Sequence, residues 1–426
     1  MTHSTHDVGR RPAEFRVGLL GFGLALALAF IGFAPQAAHS AEKEKGQQIS
    51  RVIAKEMTAA QKALQASQWA EAIKNLEAAE TKSGLTAFDQ KTIHYFKGFA
   101  NIKLNNLKVA QGELEKALAT GAATSEEKAQ YTRTLFGIAA STSQFQKTID
   151  YGKEMSDGGT ATPNDLAIIA QSYFQLKDCK SAGSWVDKAV AASRKAGEAP
   201  KENLYLFKLQ CASDASDNAA MIPVLVDLIR LNNKSTYWNT LLRIERQDER
   251  DDHNTLMLYR VMYDTNAMTV GSDFIEMAQL LGDAALPAEA QTVLQKAIDS
   301  GLIGDAQKER TNRLLNSFKT RAEADKKGLA QLDAEATKNP AGELDVKLGE
   351  VYFGTGDFQS AVTAINRGIQ KGQIKHADEA YVYLGRSQVA LKNNAEAKKA
   401  FNGLKNVPNL SARVLKLWDL YGDTLR

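Results

Sequence analysis

Cysteine is almost missing from this chain: Cys179 and Cys211 are the only two in 426 residues. Two thiols cannot build a disulfide-dense scaffold, so that class does not apply. Histidine is also scarce. Beyond residue 40 only His94, His253 and His376 remain, so a histidine zinc site or a catalytic triad would have to be assembled across distant segments. Charge of one sign is lacking too: 53 basic and 50 acidic side chains leave a net +3. That balance gives no basic face for nucleic acid and no strong attraction to anionic lipid. No phosphate-cradling loop, no glycine-rich dinucleotide turn and no carboxylate pair stands out, so no cofactor is expected.

What is present begins at the N-terminus. Arg10, Arg11 and Arg16 precede an apolar run from Val17 to Ala34, followed by Pro35 and the small-residue site Ala38-His39-Ser40. This pattern reads as a secretory signal over residues 1–40, cut before Ala41, or as an uncleaved anchor, since the run is just long enough to span a bilayer. Either reading exports the body. Pro12-Ala13-Glu14 continues the arginine pair poorly for the twin-arginine route, which favours general secretion and a periplasmic location. Membrane contact is expected only if the segment stays uncleaved. Residues 41–48, charged and glycine-bearing, read as a short flexible lead.

From about residue 49 to 410 one phrase recurs: a small residue, an apolar one four positions on, and another small one three further. Its copies are Ala72/Leu76/Ala79, Ala110/Leu114/Ala117, Ala182/Val186/Ala189, Ala290/Leu294/Ala297 and Ala361/Ile365/Gly368, with a looser one at Ala397/Phe401/Leu404. The spacing, about 36 residues or near-multiples of it, predicts some ten copies of one supersecondary unit. Each is a helical hairpin, because the apolar residues fall at three- and four-residue steps. Leu344 to Gly368 shows the unit most fully: Leu348-Gly349 and Tyr352 on a first helix, a break at Gly356-Asp357, and Phe358, Ala361, Ile365 and Gly368 on a second. Gly349 and Ala361 are small because two helices cross there. Around Gly137 the second helix carries Thr148, Gly152 and Met155 instead, so that unit reads as degenerate. Between Asp214 and Val270 the phrase fades while helical faces persist. Residues 411–426, with Val414, Leu415, Trp418 and Tyr421 on one stripe, read as a helix capping the last unit.

These features resemble the tetratricopeptide repeat family, most clearly at residues 86 to 120 and 342 to 409. The resemblance implies an all-α, right-handed α-solenoid of about ten helix-turn-helix units, in which first helices line a concave groove. Mapped onto this sequence, it puts Tyr95, Phe99, Lys103, Gln171, Phe174, Glu343, Glu350, Phe353, Glu379 and Arg386 in the groove, as anchors and register-setting charges for a protein or peptide ligand. Phe99 and Phe174 equally suit packing between units, and Trp238, ahead of Leu241, suits the core better. Tyr237-Trp238, Met277-Ala278-Gln279-Leu280-Leu281, Pro287-Ala288-Glu289-Ala290 and Tyr383-Leu384-Gly385 to Trp418 resemble envelope members of that family associated with TonB, ExbB and ExbD systems. This implies a Gram-negative periplasmic scaffold accessory to TonB-dependent transport. An alternative is an adaptor for peptidoglycan or polysaccharide, with which Phe353 near Glu350 is compatible.

Cys179 falls at the start of one unit's second helix and Cys211 late in the next unit's first, positions that stacked hairpins can bring together. A disulfide or two buried thiols both fit; a closed loop of that size would contribute roughly 3 to 4 kcal/mol. Ser125-x-x-Lys128, Ser216-Asp217-Asn218 and Lys82-Ser83-Gly84 each match one element of the penicillin-binding serine enzymes. They occur in the wrong chain order, so no enzyme is expected. The run from Asp248 to His253 offers oxygen ligands for a hard cation, but an acidic turn ahead of a helix explains it more simply.

Overall fold

The computed structural model describes residues 48–407 and 410–425. The expected leader over residues 1–40 and most of the lead over 41–48 lie outside the described residues. Residues 50–426 form one compact unit. Among the described residues this chain has twenty α-helices, one 3-10 turn over Leu404–Asn406 and no strand.

The helices pair as antiparallel hairpins in chain order. They are α1 (Ala54–Gln65) with α2 (Trp69–Glu80), α3 (Ala87–Lys103) with α4 (Leu107–Ala119), α5 (Ser125–Ser141) with α6 (Phe145–Asp157), α7 (Pro163–Gln175) with α8 (Cys179–Lys195), and α9 (Glu202–Asp214) with α10 (Asn218–Leu231). Then follow α11 (Ser235–Arg246) with α12 (Asp252–Asp264) and α13 (Gly271–Asp283) with α14 (Pro287–Asp299). The unpaired α15 (Asp305–Lys338) precedes α16 (Glu343–Gly354) with α17 (Phe358–Lys371), α18 (Ala377–Ala390) with α19 (Asn394–Gly403), and the last helix, α20 (Ala412–Thr424). This is an all-α solenoid of helical repeats.

One expected hairpin is a single rod. Residues 305–338 hold no proline and no turn pair, and their alanine, leucine and charged residues outnumber weaker helix formers such as Asn316, Ser317 and Gly328, so nothing stops α15 from continuing for 34 residues. Elsewhere the hairpin turn is uniform. The residue two before the second helix has positive φ in eight hairpins: Ser67, Asn105, Ser143, Lys177, Ser216, Ala285, Gly356 and Lys392. Only Gly356 adopts that conformation without steric cost.

The small/large rule sets how each pair crosses. A Cβ added to Gly98 would sit 2.9 Å from Leu114 Cγ, one on Gly349 2.3 Å from Ile365 Cγ1, and one on Gly385 2.3 Å from Phe401 Cε1. In the α5–α6 unit the sizes are exchanged, which corrects its reading as degenerate. Phe136 on the first helix fills the space, and Gly152 on the second supplies the gap, its Cβ position 3.0 Å from Phe136 Cε2 and 2.5 Å from Ile169 Cγ1.

First helices of successive units touch directly, α7 with α9 and α16 with α18, which places them on the inner side of the stack where neighbours crowd together. The core differs along the chain. Up to α9 it is divided into successive clusters, such as Ala110, Leu114, Leu135 and Ile138. From Leu225 to Tyr421 one large cluster dominates, with a small separate one at Ala336, Leu348 and Ala364. Helix α20 explains the change, for it packs on α10 and α12 as well as on α19. Its expected role as a simple end cap is therefore incomplete: it also fastens the end of the chain to the middle.

Candidate functional site

The inner wall of the N-terminal stack is held by a repeated device. In α3, α5 and α7 the N-cap threonine and a carboxylate three residues on form reciprocal capping boxes: Thr86 with Asp89, Thr124 with Glu127, and Thr162 with Asp165. The same carboxylates also reach the preceding segment. Ser50 N donates to Asp89 Oδ1 at 2.9 Å, Lys91 Nζ to Glu127 Oε1 at 2.7 Å, and Arg133 Nη1 to Asp165 Oδ2 at 3.1 Å. Each first-turn acid is thus both cap and bolt. In sequence the only signal of the Glu127 and Asp165 bolts is an acid answered by a cation on the previous first helix.

Five of the expected groove residues lie in this stretch. Tyr95 is half-buried and stacks on Tyr131 at 4.9 Å. Phe174 is half-buried and stacks on Phe207 at 4.8 Å, while Gln171, one helical turn before it, is also half-buried. Lys103 is exposed, with Nζ 5.3 Å from the Phe99 ring centroid. Phe99 itself is only 5% exposed and meets Trp69 edge-on at 5.9 Å. Packing between units claims it, so its expected place as a groove anchor is corrected. Among α2, α3 and α4 lies a largely buried polar cluster in which His94 Nδ1 sits 2.7 Å from Glu113 Oε2 and Lys97 Nζ 2.7 Å from Glu80 Oε2. Burial pushes the Glu113 carboxyl up, but hydrogen bonds from His94 and Lys116 and the Lys97 charge outweigh it, bringing it down to about 2.

The other five residues belong to a closed region. Arg386 on α18 is 4% exposed. Its Nε donates to Asp264 Oδ2 on α12 at 2.9 Å and its Nη1 to Glu289 Oε1 on α14 at 2.5 Å. Arg260 on α12, fully buried, donates from Nη1 to Glu379 Oε2 at 2.6 Å and from Nη2 to the Tyr383 hydroxyl at 2.7 Å; that hydroxyl donates in turn to Glu289. Phe353 packs against Phe358, Tyr383 and the Arg386 guanidinium at 5.5, 5.1 and 4.6 Å. Arg386, Glu379 and Phe353 therefore do not line an open groove; their polar atoms and ring faces are spent on the chain's own α12, α14 and α17. Glu343 accepts the Lys375 backbone N–H at 2.8 Å. Glu350 is half-buried, its carboxyl pushed up to about 8 by burial and then by the neighbouring Glu379 charge. Phe353 and Glu350, the pair compatible with a sugar site, are both half-buried at this region's edge.

The acidic run before α12 acts as a cap. Asp251 Oδ1 accepts Asn254 N–H at 2.8 Å, and Glu249 Oε1 accepts the N–H groups of Arg250 and Asp251 at 3.0 and 3.1 Å. No group of three metal-ligating side chains occurs among the described residues. A cleft of about 560 Å³ beside it mixes Arg243, Arg246 and Arg250 with Glu249, Asp252 and Glu276, an even balance that selects no charge. The fragments resembling serine enzymes have local roles: Ser125 opens α5, Ser216 makes a hairpin turn, and Lys82 pairs with Glu56 at 3.1 Å. Cys179 and Cys211 form a disulfide, with Cα atoms 5.7 Å apart, that ties α8 to α9. Among the described residues no helix is long and apolar enough to cross a membrane.

No protein-family model matches the chain, and no curated protein matches it. Solved structures with similar helix arrangements include a tetratricopeptide repeat protein from Parabacteroides merdae, 11% identical with a TM-score of 0.31, covering 63% of this chain and 99% of that one. The TPR2AB domain of yeast Sti1 in complex with pHSP90 is 13% identical with a TM-score of 0.33, covering 63% and 98%. The C-terminal part of a TPR repeat-containing protein from Cytophaga hutchinsonii is 11% identical with a TM-score of 0.30, covering 76% and 98%. Overlap this small carries no argument, and the repeat architecture rests on the chain's own helices and their packing.

Proposed function

We propose that this chain is a non-catalytic scaffold that holds an extended segment of a protein partner along the inner wall of α1 to α9. The observation that carries the reading is the difference in side-chain commitment. In the N-terminal stack Lys103 is exposed and Tyr95, Gln171 and Phe174 are partly exposed, whereas in the C-terminal half Glu379 and Arg386 are buried and bound to their own chain, and the partly exposed Glu343, Glu350 and Phe353 surround that closed centre. Half-exposed aromatics on a rigid wall give a partner apolar anchors, and the flanking Lys103 and Gln171 give it register. The expected charges at Glu350 and Arg386 drop out of this site.

The scaffold works outside the cytoplasm, in the periplasm of a Gram-negative cell, in this reading. The basic and apolar pattern of residues 10–40 supports export, and the Cys179–Cys211 disulfide suits an oxidising compartment. A role beside TonB, ExbB and ExbD components is the finer form of the proposal. It rests on the resemblance at Tyr237-Trp238, Met277 to Leu281 and Pro287 to Ala290, where Trp238, Met277 and Ala290 are wholly buried.

The test is in-cell crosslinking of the full chain with recovery from envelope fractions. The double variant Lys103→Glu with Phe174→Ala is expected to lose the crosslinked partner while melting as the parent does. A parental yield of crosslinked partner would remove the N-terminal wall as the site. Recovery of the protein in the cytosolic fraction with Cys179 and Cys211 reduced would overturn the location.

A further inference from the structure

The joint between α18 and the middle of the chain has the form of the N-terminal bolts with one substitution. Between neighbouring units, first-turn acids on first helices take a cation that is charged at any physiological pH: Lys91 on Glu127, Arg133 on Asp165, and Arg243 on Asp273 at 3.2 Å. At the start of α18 the first-turn acids are Asp378 and Glu379, and their partners come from α12, more than a hundred residues earlier. Arg260 takes Glu379, but Asp378 is taken by His253 Nε2, whose other ring nitrogen lies 3.6 Å from Glu379 Oε1. The closing joint alone among these bolts depends on a side chain that titrates near neutrality.

The charges around it are unbalanced. From α12 come His253, Arg260 and Asp264; from α14 Glu289; from α16 Glu350 and the exposed Lys347; from α18 Asp378, Glu379, Tyr383 and Arg386. His376 lies beside this set with its ring 6.1 Å from that of His253, and Tyr421 of α20 lies near Asp264 and Arg386. The two buried arginines face Asp264, Glu289 and Glu379, an excess of one negative charge before Glu350 is counted. Glu350 accepts no hydrogen bond among the described residues, so an ionised carboxylate there would be partly desolvated and opposed by Glu379. Neutral Glu350 and cationic His253 bring the cluster closest to balance.

We propose that the C-terminal half is a proton-operated clasp: closing α18 and α20 onto α10, α12 and α14 takes up protons at His253 and Glu350, so mildly acidic solution holds it shut and mildly alkaline solution loosens it. Both groups act in the same direction. His253 is raised above 6.5 by the Asp378 hydrogen bond, and Glu350 is raised from 4.5 to about 8 by burial and Glu379. A group raised in the closed state stabilises closure fully below its open value, and that support is lost as pH rises through its closed value. The window therefore runs from about 4.5 to about 8. Asp264, raised by burial against the pull of Arg386, adds to the same trend. Asp378 and Glu289 are lowered and act oppositely, but only below the ordinary carboxylate range. Tyr383 and Tyr421 are raised and stay protonated throughout. The inference does not rest on the N-terminal wall as a binding site.

Hydrogen exchange of the full chain, compared at about pH 5.5 and about pH 8.5 after correction for intrinsic rates, tests it. Amides of α18 and α20 should exchange on the order of tenfold faster at the higher pH, since one pKa unit is worth a factor of ten, while α3 to α8 show no such gain. Glu350→Gln, which fixes the neutral form, should shrink that difference and raise the melting temperature at the higher pH only. His253→Lys, which replaces the titrating bolt with a permanent cation, should shrink it in part and serves if the first variant fails to fold. Equal corrected protection at the two pH values in the parent would overturn the proposal. So would a parental pH dependence kept by whichever variants fold.

Discussion

Two halves built from the same hairpin end up in different states. From α1 to α8 each unit is bolted to its neighbour by a capping acid, and the core is divided into local clusters. From α10 to α20 most of the core is one cluster, and two buried arginines join residues more than ninety positions apart, Arg386 to Glu289 and Arg260 to Glu379. A repeat array is nearly one-dimensional only while contacts stay between neighbours. The return of α18 and α20 to α10, α12 and α14 turns the second half into an ordinary three-dimensional core whose inner wall is filled by its own side chains. The first half keeps its wall.

That contrast can be broken most severely at Arg386. Arg386→Ala leaves Asp264 and Glu289 buried without their cation and should cost about 3 to 5 kcal/mol, confined to the C-terminal half. Arg133→Ala, the exposed bolt of the other half, should cost no more than about 1 kcal/mol. Denaturant unfolding read with hydrogen exchange by segment checks both, and equal losses would erase the distinction. The next effect lies near the boundary between the halves. Cys179→Ser with Cys211→Ser should cost roughly 3 to 4 kcal/mol if loop closure dominates, seen as a lower denaturation midpoint without change in slope.

Acid separates the halves by sign. Glu113, brought down to about 2, stabilises the α3–α4 unit above its ordinary value of 4.5, and that support is lost as pH falls toward 2. Glu113→Gln should therefore remove on the order of 2 kcal/mol at neutral pH and flatten the acid limb of the melting profile. The C-terminal half loosens in the opposite direction, as pH rises. The smallest effect should be shared. Lys177 and Lys392 both hold φ near 63° at hairpin turns, so glycine at either should gain at most about 1 kcal/mol. A gain in one half alone would show that the turns are not equivalent.

Much of the fold could be read from residues. The small/large/small phrase marks α2, α4, α8, α14 and α17 because a helix crossing closely at Gly98 or Gly349 tolerates no side chain there. The exchange of Phe136 for Gly152 hid the same crossing, since the pattern fixes sizes on one helix and the packing needs only their sum. The eight left-handed turns were nearly invisible, because only Gly356 advertises its conformation. Of the groove residues, Tyr95, Lys103, Gln171 and Phe174 keep some exposure, whereas Phe99, Glu379 and Arg386 look identical in register and are buried. Register assigns a side chain to a face; it does not say what returns to cover that face.

By itself the sequence determined the helices, their pairing and the side of each that packs, because these follow from periodicity and steric size over a few residues. The long α15 departs from the expected repeat for an equally local reason, since residues 305–338 hold no proline or turn pair to end the helix. Tertiary structure alone decided that the second half closes on itself, that His253 meets Asp378 across 125 residues, and that arginines expected at a groove are spent inside. Those contacts depend on the summed curvature of many units, and no local spacing encodes a sum.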